Sequence, residues 1–161
     1  MRLTDPARRD YAGFLPLSGE RRKEGEMEFF AQVNWIAVVV GGVFNMALGS
    51  LWYGPLFGKA WLRAISKSPD EIESSATMYV LPFLAGLVAA YVLAALVAGL
   101  GITVWWQGIV IGAAVWLGLG ATATLTVGTF EDSPRGAWVL FTLYQLVVYG
   151  AQGLMFVLWT R

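Results

Sequence analysis

The chain contains no cysteine and no histidine, and between Glu73 and Glu131 it contains no Asp, Glu, Lys or Arg either. The first absence excludes disulfides, thiolate chemistry, ordinary haem ligation, the usual zinc and copper sites, and a histidine pH switch. The second absence identifies the solvent. A charge at bilayer depth costs at least about 2.5 kcal/mol, whereas a soluble domain scatters charges through a stretch of this length to keep its surface wet. Eleven Lys and Arg balance eleven Asp and Glu, so the clustered basic excess that DNA or RNA demands is missing and no nucleic-acid partner is expected.

What fills the chain instead is Leu, Val, Ala, Gly and aromatics, 57% apolar overall with 19 glycines. That composition predicts an all-α integral membrane four-helix bundle over residues 27–161. Four segments have the roughly 20 apolar residues needed to cross the hydrocarbon core. They run over about 31–52, 78–100, 104–127 and 137–159. Trp35, Trp52, Tyr53, Tyr79, Trp105, Trp106, Trp138 and Trp159 fall near the ends, as an interfacial aromatic belt requires. Trp116 falls near the middle of the third span and is expected to pack against a neighbour or lipid. The expected location is the cell's cytoplasmic membrane, crossed several times.

The connection from Gly99 to Thr103 allows only a tight turn, so the second and third spans form an antiparallel hairpin. Between the third and fourth, Ser133 is expected to cap the last helix with Pro134 in its first turn. The longer connection, 54–77, carries its own pattern. Phe57, Trp61 and Ile65 recur on one side and Lys59, Arg63 and Lys67 on the other, which predicts an interfacial amphipathic helix between the first and second spans. Ser68, Pro69 and Glu71 then read as a capping box, the start of a helix that runs on towards the second span with Pro82 bending it.

The stretch LWYGPLFGKAW, Leu51 to Trp61, resembles the uncharacterised bacterial membrane proteins of domain-of-unknown-function family 1761. The similarity begins at Asn34 and Trp35 and is strongest at Trp52, Tyr53, Gly54, Pro55, Gly58, Lys59 and Trp61. It resumes at Trp116, Leu117, Gly118, Phe130 and Glu131. The resemblance implies a four-helix membrane domain and supplies no reaction, ligand or catalytic residue.

Residues 1–26 mix six basic residues with acids and prolines and have no apolar core for a secretory signal, so they read as disordered. An alternative is that translation starts at Met27, since Lys23, Glu24 and Gly25 can be encoded by a purine run of ribosome-binding type. Orientation follows from that choice through the positive-inside rule. A start at Met1 puts both termini in the cytoplasm, whereas a start at Met27 leaves Arg161 alone on the terminal side and makes the Lys59, Arg63, Lys67 loop cytoplasmic. The second orientation is the preferred one.

Within the spans, Gly41, Asn45 and Gly49 share a face of the first helix, and Ala114, Gly118, Thr122 and Thr126 share a face of the third. Gly108 and Gly112 add a G-x-x-x-G. On the fourth, Gln145, Tyr149 and Gln152 follow helical spacing and complete an internal polar strip with Asn45 and Gln107. Packing glue is the preferred reading of that strip over a solute path, because polar groups in lipid seek partners whatever the function.

Three functional readings follow. The leading one is a self-associating or complex-associated scaffold, a homo-oligomer or membrane-complex partner, because small-residue faces exceed what four helices obviously need. The second is an oligomeric transporter or channel-like protein for a neutral or lipophilic solute. The third, an enzyme, is disfavoured. Glu131, on the same side as Lys59, is its best acid and reads first as a solvated turn residue. No catalytic, cofactor-binding or metal-binding residue is assigned. A short likeness of FGKAWL, Phe57 to Leu62, to PRGAWVL, Pro134 to Leu140, hints at a duplicated helix pair.

Overall fold

The computed structural model describes residues 33–72 and 75–159. The N-terminal segment with its two start sites, Glu73 and Arg161 lie outside them. Among the described residues there are helices and turns and no strand.

Helix α1 (Trp35–Leu51) starts where it does because Asn34, in extended conformation, caps it. Its Oδ1 accepts the N–H groups of Ile36 and Ala37 at 3.0 and 3.2 Å. The expected start at Ala31 lies outside the described residues; among those described the helix begins at Trp35, after its Asn34 cap. At the other end the helix widens into a π turn, Trp52–Leu56, so the first membrane-length helix is Trp35–Leu56. A seven-residue helix α2 (Gly58–Ala64) follows. Lys59 and Arg63 are exposed while Trp61 is half-buried, the two-sidedness expected of an interfacial helix, although the element is only two turns long.

The Ser68 capping box forms, but the helix it opens is a single turn, Pro69–Glu71, and Ile72 is already extended. A cap alone does not propagate a helix, because each turn beyond the nucleus needs a packed face, and the polar residues here supply none. The second span is therefore a separate helix, α3 (Thr77–Gly99).

Gly101, at φ 62, makes the tight turn into α4 (Trp105–Val115). A π turn over Trp116–Ala121 leads to α5 (Thr122–Phe130), and the whole third span reaches Phe130. It runs three residues past the expected end at Val127, and along it Thr122, Thr126 and Thr129 return their hydroxyls to carbonyls of their own helix at 2.8–2.9 Å, so these polar groups are satisfied within the span. The fourth span, α6 (Arg135–Trp159), is opened by Pro134, whose carbonyl accepts from Ala137 and Trp138. Ser133 does not fill the expected capping role; its N–H donates to the Gly128 carbonyl at 2.9 Å, closing the preceding helix.

The order of packing differs from the order of the chain. Helix α6 touches every other span, α4 packs most closely on α6, and α1 packs on α3. The α3 and α4 hairpin is antiparallel but meets little beyond its turn. Glycine explains the choice of partner. A β-carbon on Gly108 would run into the Gly153 carbonyl, one on Gly112 into the Tyr149 carbonyl, and one on Gly153 into the Gly108 carbonyl. The G-x-x-x-G therefore brings α4 and α6 backbone to backbone within one chain. Two indoles stitch the rest of the third span to α6, Trp116 Nε1 of the π turn to the Thr142 carbonyl and Trp138 Nε1 to Thr124 Oγ1 of α5, each at 3.2 Å.

Large apolar side chains face outward at mid-span: Val88 is 64% exposed and Leu119 71%. In water such continuous faces are aggregation sites; in lipid they are the contact surface. With four helices long and apolar enough to cross, the chain is an all-α helical membrane bundle. Its dry core lies towards the side of Trp35, Gly101 and Trp159, where Val38, Leu93, Val97, Phe156 and Val157 are buried together. This is called the terminal side below, and the side of Trp61 and Glu131 the loop side.

Candidate functional site: a polar-based cavity open to the loop side

Towards the loop side, α1, α3 and α6 diverge and enclose a half-open cavity of about 780 Å³. Its depth follows from helix geometry. The lining on α6 runs from Phe141 to Gln152, a rise of about 16 Å at 1.5 Å per residue. That is roughly half of a hydrocarbon core about 30 Å thick, and the packed terminal-side core closes the other half.

The closed end is polar. Tyr144 reaches across from α6, and its hydroxyl lies 2.6 Å from Asn45 Oδ1 and 2.8 Å from the Asn45 carbonyl, both acceptors for its one proton. Gln152, also on α6, donates Nε2 to the Gly41 carbonyl at 2.9 Å. Glycine makes room for both contacts. A β-carbon on Gly86 would strike Asn45 Nδ2, and one on Gly49 would lie 3.0 Å from the Tyr144 hydroxyl. One on Gly41 would press on Ala90 and Phe156 at 3.2 Å.

The walls and mouth are aromatic, and the Trp52–Trp61 segment builds them. Gly54 has the non-helical pair φ −94, ψ −106, and with Pro55 it breaks the first span at the rim. Gly58 lets the chain turn back, since a β-carbon there would sit 2.5 Å from the Tyr53 carbonyl. The return brings Trp61 edge-on to Tyr53 at 5.7 Å, and Tyr53 in turn lies edge-on to Tyr144 at 5.5 Å. Trp52 packs on Phe57 and Tyr144 behind this wall, with its Nε1 buried and without a hydrogen-bond partner. Pro82, on α3, also lines the cavity and has no N–H to give the Met78 carbonyl one turn back.

Of the polar strip expected from spacing, the structure brings Asn45, Gln145, Tyr149 and Gln152 to this cavity. Gln107 is not among them. It sits in the first turn of α4 at the terminal side, on a helix that takes no part in the lining. Tyr144 and Tyr53 were not singled out by the spacing argument. The available signal for Tyr144 was its place with Val148 and Gln152 on one stripe of α6, four residues apart.

The other sequence candidates have structural places. Trp35 stacks on Tyr91 at 5.1 Å, joining α1 to α3. Trp116 is buried against Phe141 and Tyr149. Gly118 and Thr122 stay on an exposed face of the third span, and a β-carbon on Gly118 would meet nothing within 4 Å. Phe130 and Glu131 are exposed at the loop-side turn, and Glu131 makes no ion pair with Lys59 among the described residues.

Comparison with known proteins agrees with the architecture. The model of a family described as "Protein of unknown function (DUF1761)" matches residues 36–157. A UPF0591 membrane protein of Schizosaccharomyces pombe is 39% identical over 67 residues, covering 37% of this chain and 45% of its own length. The match thus spans under half of that relative. A fungal relative speaks for insertion in a membrane and not for which membrane or for a bacterial source. No solved structure matches.

Proposed function

The chain belongs to the DUF1761 family of membrane proteins of unknown function, and from that premise we propose that it binds a neutral, lipophilic small molecule inside the bilayer. The observation that carries this reading is the cavity itself. Its volume of about 780 Å³ lies within the range of about 300–1,000 Å³ typical of small-molecule sites, and it pairs apolar and aromatic walls with a few placed polar groups. The lining contains no Asp, Glu, Lys or Arg, so an ion finds no countercharge. No residue of α4 or α5 lines the cavity, which favours entry from the lipid between α3 and α6. The closed terminal-side core favours a binding or carrier protein over an open channel.

Native mass spectrometry of the protein extracted in mild detergent tests this. A lipophile of stoichiometric abundance, lost when Ala89→Trp fills the cavity, is the expected result; an empty, monodisperse protein that also fails to take up added lipophiles refutes it.

Self-association is the second reading, and one observation keeps it: the Ala114, Gly118, Thr122 face is exposed. Its motivation is narrower than the sequence suggested, because Gly41, Gly49, Gly108 and Gly112 all serve contacts within the chain. Gly118→Cys crosslinking in membranes tests it, with no dimer band as the adverse outcome.

A further inference from the structure

The Asn45 amide, in the wall of the cavity, is only half used. Asn45 is 9% exposed, and its Oδ1 lies 2.6 Å from the Tyr144 hydroxyl. That separation is ordinary for O–H···O and short for N–H···O, so the oxygen and not the nitrogen is the atom that meets Tyr144. The nitrogen points to Gly86, where a β-carbon would strike it. Neither of its protons has a partner among the described residues. Trp52 Nε1, Thr142 Oγ1 and Gln152 Oε1 are unpartnered but sealed in, whereas Asn45 Nδ2 keeps accessible surface, and the space that Asn45 lines is the cavity. An amide N–H2 without an acceptor is costly there, because lipid tails supply none. Gln145 and Tyr149, one turn apart on α6, share the space, but each carries donor and acceptor together and so serves either kind of ligand group. Asn45 tips the balance, since what it adds to the cavity is unpaired protons.

We infer that Asn45 Nδ2 is the donor that holds the ligand, and that the ligand class is uncharged lipophilic carbonyl compounds: ketones, esters and quinones. The inference rests on the cavity reading above and narrows it. A plain hydrocarbon fits the apolar walls and leaves the amide protons unpaired. A carboxylate would accept from them, but it arrives ionised and meets no cation in the lining. An alcohol oxygen also accepts, but its own proton then needs an acceptor beside Asn45, where the Tyr144 hydroxyl already engages both Oδ1 and the backbone carbonyl. A carbonyl oxygen accepts and brings no proton of its own. The ligand carbonyl lies at the level of Asn45 and Gly86, with its apolar body along Ala85, Phe141 and Tyr79 towards the loop side.

The test uses the full chain in nanodiscs and an undecanone carrying a photoreactive diazirine, with labelled peptides read by mass spectrometry. Unlabelled undecanone, undecanol and undecane, alike in length, compete at equal mole fraction in the membrane. Saturable labelling of the α3 and α6 cavity walls is expected, with undecanone competing on the order of tenfold better than undecane, as befits one extra buried hydrogen bond, and better than undecanol. Asn45→Leu removes the donor but leaves the Tyr144 hydroxyl its backbone acceptor, and in the folded variant undecanone and undecane should converge to within about twofold. If that variant fails to fold, Gly86→Ala, whose β-carbon strikes the same nitrogen, takes its place with the same convergence expected. Undecane or undecanol matching undecanone in the unaltered protein overturns the carbonyl assignment while the cavity reading stands. An undecanone advantage that survives in the folded variant overturns the role of Asn45. Labelling that none of the three competes away overturns the assignment and the cavity reading together.

Discussion

The Tyr144 hydroxyl meets the Asn45 side chain at 2.6 Å, joining the fourth membrane helix to the first across 99 residues of sequence. Both residues line the cavity, where lipid offers neither a substitute donor nor a substitute acceptor. The contact is therefore both a structural tie and one boundary of the binding space.

That double role makes the first prediction. Tyr144→Phe and Asn45→Leu each remove the bond, and each is expected to lower stability by about 1 kcal/mol, the usual scale for an interhelical hydrogen bond in a membrane. The double variant should cost less than the two together, since they break one interaction. Reversible unfolding in mixed micelles measures this; strict additivity would show that the two side chains do not interact.

Glycines give the sharpest contrast between neighbours. Gly112→Leu forces the α4 and α6 backbones apart at the Tyr149 carbonyl, whereas Gly118→Leu, two turns on, adds a side chain in open space. The first should cost about 2–3 kcal/mol through overpacking and the second under about 0.5. Thermal unfolding of both proteins checks it, and similar losses would mean that the close approach of α4 to α6 is not what holds the third span.

The positions of the helices were legible in the sequence because lipid forces backbone groups to pair within each segment, so length and apolarity are nearly sufficient. Which helix packs on which was not. A tight turn at Gly101 fixes direction, but Gly108 and Gly112 had no assigned partner until the carbonyls of Tyr149 and Gly153 were seen against them. The polar strip was legible as far as spacing reaches, within α6. Gln107 failed because the strip's other wall is set by how α1 and α3 diverge, a tertiary fact with no period of its own. The Trp52–Trp61 motif was visible as a resemblance, yet its purpose, bending the chain so that Trp61 returns to Tyr53, depends on the φ and ψ of Gly54.

Asn34, the start of that resemblance, has a simple role that mutation can isolate. Asn34→Ala removes an acceptor for two N–H groups and should cost about 1 kcal/mol, while Asn34→Asp or Asn34→Ser should keep most of it. Equal losses in all three would show that Asn34 acts through its amide N–H2 and not as a cap.

A last prediction concerns pH at the membrane surface. The Glu71 carboxylate accepts from the Ser68 N–H at 2.6 Å and from the Ser68 hydroxyl at 2.9 Å, and these bonds, with Lys67 adding a smaller attraction, hold its pKa below 4.5. Since the folded value is depressed, the turn is favoured while pH stays above the unfolded value, and the contribution disappears as pH falls through the folded one. A carboxyl-carbon NMR titration of Glu71 should give a midpoint under 4.5. Ser68→Ala should raise that midpoint only in part, because the backbone N–H, which the substitution retains, makes the larger contribution. A midpoint at or above 4.5, or no response to Ser68→Ala, would mean that the Ser68 to Glu71 box is open in the membrane-bound protein and that Pro69–Glu71 is not a fixed turn.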